Sequence, residues 1–74
     1  MRILYISPDA FKIGEFVFAR WDTAPQRVIG KDGTSYMIMR GKNMDVPQWL
    51  SFEDTMSSLE VAQKFPQYAF LYAG

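Results

Sequence analysis

Seventy-four residues allow one hydrophobic core, and a domain this small buries only ~60% of the surface its unfolded chain exposes. The composition, 49% hydrophobic and 16% aromatic, is that of a single folded domain over residues 1–74 and not of a disordered tail. With no cysteine and no histidine, disulfides, Cys/His zinc sites, thiol nucleophiles and histidine-dependent triads are excluded. Eight basic residues balance eight acidic ones, so bulk charge announces neither nucleic acid nor membrane.

The longest apolar run, Tyr68 to Ala73, falls far short of the ~20 residues of a membrane-spanning helix. No signal-peptide pattern opens the chain. Met1 leads directly into a strand-like segment, and the expectation is a complete cytoplasmic protein.

Arg2–Ser7 reads as a strand closed by a Pro8-Asp9 turn. Its apolar residues fall on both pleat faces, which predicts a central position in the sheet. Gly14 precedes a second run, Glu15–Trp21. Asp32-Gly33, between two strand-like runs, predicts a hairpin with a type I′ turn and positive φ at both central residues. The second arm alternates Tyr36, Ile38 and Arg40 against Met37 and Met39. A breaker-rich connection over Gly41–Pro47 follows, and Trp49-Leu50 reads as a short strand.

One helix is expected. Ser57 and Glu60 have capping-box spacing, and Ser51 with Asp54 offers a similar start earlier, near Phe52. Leu59, Ala62 and Phe65 share a face directed at the sheet, and Pro66 forbids continuation. Gln67–Ala73 reads as a final strand, with Tyr68, Phe70 and Tyr72 on one side and Ala69, Leu71 and Ala73 on the other. Tyr72, nearest the chain end, is expected to be partly exposed. The predicted fold is α+β: a mostly antiparallel meander of about five strands with one C-terminal helix packed on one face.

Phe11-Lys-Ile-Gly-Glu-Phe-Val-Phe-Ala-Arg-Trp21, with Arg27-Val28 and Tyr36-Met-Ile38 downstream, resembles the opening strands of SH3-like small barrels of the Tudor and chromo type. The resemblance covers roughly Phe11 to Leu50. It implies a peptide- or nucleic-acid-binding module with Trp21, Tyr36 and Trp49 near the binding face. The extra N-terminal strand and the C-terminal helix–strand unit depart from that pattern and leave a plain α+β sheet as the alternative.

Catalytic candidates are few. Glu53 and Asp54 are adjacent and do not face each other on a helix; first-turn acids favoured by the helix dipole explain them. A Ser57/Ser58/Lys64 arrangement is accounted for by capping and by the preference of lysine for helix C-termini. The glycines precede no helix and cradle no phosphate, and the carboxylates lack the regular spacing of a calcium loop. No enzyme activity, metal or cofactor is expected.

Residues 1–42 carry seven basic and four acidic side chains, and residues 43–74 one and four, so a bipolar molecule is expected. One short helix covers one sheet face. The aromatic excess must therefore close a barrel or meet another molecule, and Tyr and Trp suit interfaces. The leading expectation is a non-catalytic protein-binding module that occupies a surface of a larger partner, such as a phage or mobile-element accessory or inhibitor protein. Its candidate contact residues are Tyr68, Phe70, Tyr72, Tyr36, Trp21 and Trp49. The second is a nucleic-acid-binding regulator using Arg20, Arg27, Lys31, Arg40 and Lys42. A homodimer through the uncovered sheet face is compatible with either.

Overall fold

The structure, a computed structural model, describes residues 3–39 and 47–73. Among the described residues four antiparallel strands form one sheet in chain order: β1 (Phe16–Val17), β2 (Gln26–Lys31), β3 (Ser35–Met39) and β4 (Pro47–Ser51). A 3-10 turn, Phe52–Asp54, follows β4; then come helix α1 (Ser58–Lys64) and further 3-10 turns over Pro66–Tyr72. The fold is thus α+β with an antiparallel meander.

Alternation divides the sheet. Val17, Val28, Tyr36, Ile38 and Leu50 point inward and are buried, and the register sets Val28 opposite Ile38 and Tyr36 opposite Leu50. Phe11, Phe18, Met56, Val61 and Tyr72 fill the inner side from the loops and helical segments. Aromatic rings tie these layers together: Phe18 lies 5.4 Å from Phe65 and from Tyr68, and Phe11 5.7 Å from Tyr72. Past the 3-10 turn, Thr55 bridges Ala19. Arg20 N donates to Asp54 O and Met56 N to Phe18 O. The stretch after β1 is therefore joined to the stretch after β4.

The Asp32-Gly33 hairpin forms, but not with the expected turn. Neither residue has a positive φ; among the described residues only Gly14 does, at 95°. Asp32 closes the loop instead, its Oδ1 accepting from Thr34 N at 2.8 Å and Ser35 N at 2.7 Å. The aspartate side chain does locally what a left-handed backbone would otherwise do. Ile29 is left over as a bulge where the register shifts between Val28 and Gly30.

The predicted first strand is not part of the sheet. Among its described residues, Ile3 makes an isolated bridge to Ala73, and Leu4 and Tyr5 are exposed. Ser58 holds this segment: its Oγ accepts from Ile6 N at 2.6 Å and donates to Leu4 O at 2.9 Å, while its N–H donates to Ile6 O. Arg2, where that strand was expected to begin, lies outside the described residues.

Both serines act as caps, for separate elements, although Ser51 caps Glu53 N and not the expected Asp54. Ser51 caps the 3-10 turn through Glu53 N, and Ser57 caps α1 through Glu60 N at 3.1 Å. The helix therefore begins at Ser58. Its buried face is Ser58 and Val61, one position away from the predicted one, and Leu59 is 46% exposed. The clip from Ser58 to the N-terminal segment sets that rotation.

Gln67–Ala73 is not a strand. Pro66 opens a run of 3-10 turns in which Tyr68 N donates to Phe65 O. A three- to four-residue period turns Phe65, Tyr68, Leu71 and Tyr72 toward the core and leaves Phe70 outside. Tyr72, expected to be partly exposed, is 3% exposed, and its hydroxyl donates to Phe16 O at 2.8 Å. Among the described residues no helix is long and apolar enough to cross a membrane.

Candidate functional site

The sheet's outer face is set by the same alternation. Register places Phe16, Arg27, Met39 and Pro47 in one row across β1 to β4, and Gly30, Met37 and Trp49 in the next. Side chains paired across strands project from the same face. Trp49 is 58% exposed, Ile29 projects from the bulge, and Phe16, Met37 and Met39 are half-buried. Gly30 leaves room for Met37, whose Cβ lies 3.3 Å from where a Gly30 Cβ would stand. A solvated sheet face ordinarily alternates to polar residues. This one presents methionines, an isoleucine, a phenylalanine and a tryptophan.

At one end of this face Phe16, Pro25, Gln26, Arg27, Ile29 and Met39 line a recess of about 200 Å³. The Arg27 guanidinium stands over the Phe16 ring, 5.1 Å from its centroid. Such a contact holds the cation in place while leaving its N–H groups available.

The predicted contact residues scatter. Trp49 belongs to the outer face. Trp21 and Phe70 are exposed and belong to none of the paired strands. Tyr36 is fully buried and cannot meet a partner: its hydroxyl accepts from Phe11 N at 2.9 Å and donates to Pro8 O at 2.7 Å. Burial raises its pKa to about 12, against the lowering effect of the Phe11 hydrogen bond. Tyr72 is likewise enclosed, with its pKa raised by burial, and Tyr68 is half-buried against Phe18. The three aromatics of the chain end do not form a stripe, because the segment is not extended.

The basic candidates also divide. Arg20 pairs with Glu60 at 3.0 Å, and its Nε donates to Glu53 O. Lys31 donates to Asp9 O at 2.8 Å, with its ammonium 5.6 Å from the ring centroids of Tyr36 and Phe52. Arg27 alone of the described candidates lies on the outer face. Arg40 and Lys42, with most of the Gly41–Pro47 connection, lie outside the described residues.

Sequence reasoning did not assign a role to Phe16, Ile29, Met37 or Met39. The alternation of Met37 and Met39 against Tyr36 and Ile38 was a usable signal. The bulge that turns Ile29 outward was not. No protein-family model, curated protein or solved structure matches this chain.

Proposed function

We propose that this chain is a small non-catalytic protein-binding module that occupies a surface of a larger protein through the outer face of its meander. The observation that carries this reading is the apolar outer face itself: Trp49, Ile29, Met37 and Met39 stand on the side of the sheet opposite the core. Contiguous exposed apolar residues on a small domain mark interaction sites, and Trp, Met and Arg are enriched in interface cores.

The finer fold reading is an SH3-like small barrel, supported by the Ala19–Thr55 bridge that follows the 3-10 turn and joins the two ends of the meander. A cytoplasmic accessory or inhibitor role, of the kind phages and mobile elements encode, fits a domain that works by contact. The nucleic-acid reading ranks second, since Arg20 and Lys31 are engaged within the fold.

Capture from host lysate, with and without nuclease, separates the two. The protein-binding reading predicts one protein recovered at fixed stoichiometry in both conditions, lost with Trp49→Ala and kept with Phe70→Ala. Nuclease-sensitive recovery, or full recovery with Trp49→Ala, contradicts it.

A further inference from the structure

We infer that the recess beside Arg27 is a socket for an apolar side chain carried next to a carboxylate, so that the partner presents an acidic–hydrophobic segment there. This rests on the protein-binding reading and specifies its chemistry. The recess, about 200 Å³, is smaller than the roughly 300–1,000 Å³ of sites for drug-sized ligands. Its size suits a single side chain. Phe16, Pro25, Ile29 and Met39 give it apolar walls, and methionine adapts its shape to what enters.

Arg27 supplies the second half. Its guanidinium is positioned by the Phe16 ring, and the side chain is exposed. Among the described residues the ion pair is between Arg20 and Glu60, and Arg27 has neither a carboxylate nor a hydrogen-bond acceptor. It is the charged member of the recess lining. A planar guanidinium with free N–H groups matches a carboxylate through two parallel bonds. An apolar group in the recess would hold that carboxylate beside it and exclude water from the pair. The charge complement of this corner of the face is therefore an anion.

The test uses two probes, N-acetylphenylalanine as the free acid and as its neutral amide, titrated into the protein while backbone amide resonances are followed by NMR. The expected result is a set of shifts centred on Phe16, Arg27, Ile29 and Met39, with the acid binding about tenfold more tightly than the amide, the equivalent of one charge-assisted contact. Arg27→Gln should bring the acid down to the affinity of the amide. Ile29→Asp, which sets a carboxylate beside Arg27, should abolish the preference while the fold is retained. Equal binding of acid and amide at the recess would overturn the anionic specificity and leave a purely apolar contact. Shifts elsewhere, or none at millimolar probe, would overturn the socket altogether. Neither result touches the protein-binding reading, which stands or falls on capture with Trp49→Ala.

Discussion

Tyr36 shows how much one side chain can hold. Its ring is packed at 6.1 Å from Phe11 and 4.8 Å from Phe52, and its hydroxyl joins Phe11 N to Pro8 O. That oxygen ties the loop before β1 to the start of β3. Tyr36→Phe leaves the buried Phe11 N–H without its acceptor, so the expected cost is ~1–3 kcal/mol, read as a lower denaturation midpoint at unchanged slope. The same hydroxyl gives a pH signature. Its pKa in the folded chain is about 12 against an ordinary 10.0, so the folded state retains the proton that the unfolded state releases. The stability from this group is complete below pH 10 and is lost as pH rises from there through about 12. Tyr72 is shifted in the same direction. Unfolding should therefore coincide with phenolate absorbance in alkali, and Tyr36→Phe should show a shallower alkaline loss than the parent.

The hairpin and the helix show what can be read from short spacings and what cannot. The hairpin's existence follows from Asp32-Gly33 between two β-rich arms. Its turn geometry does not, because an aspartate carboxylate can close the same loop without positive φ. Gly33 has open space around it and an ordinary φ. Gly33→Ala should then shift stability by no more than about 0.5 kcal/mol. Asp32→Ala, losing two acceptor bonds, should cost roughly 1 kcal/mol; thermal melts of the two variants compare them directly. In α1 the start at Ser57 and Glu60 was legible as one of two candidates, the other being Ser51 with Asp54, which belongs to the separate 3-10 turn. The inward face was not, because Ser58 reaches across to a segment more than fifty positions away. Val61→Ala should cost roughly 1.5–3 kcal/mol, whereas Leu59→Ala should stay within about 1 kcal/mol, since Leu59 is half-exposed. Equal losses would place α1 differently on the core. The chain end failed as a strand for a related reason: Phe65, Tyr68 and Leu71 satisfy a three-residue period as well as the aromatic–alanine alternation satisfies a period of two. Pro66 and the core beside Phe18 decide between them.

For the whole molecule, the inner face of the meander meets a core filled by side chains from the loops, α1 and the 3-10 segments, and the outer face is left uncovered among the described residues. Arg20 of the basic half and Glu60 of the acidic half pair across the fold. That a second apolar face would need either barrel closure or a partner was legible from the excess of large residues over one short helix. Its location was not, since it depended on the chain end leaving the sheet and on the β2 bulge. The face now comprises Trp49, Met37, Met39, Ile29, Phe16 and Arg27. The most direct measurement of its role is hydroxyl-radical footprinting of the captured complex against the free protein, because Met and Trp side chains oxidise readily when exposed. The account predicts that Trp49 and Met39 become protected on partner binding while Trp21 and Phe70 oxidise at their free rates. Protection of Trp21 and Phe70, with Trp49 and Met39 unchanged, would contradict it.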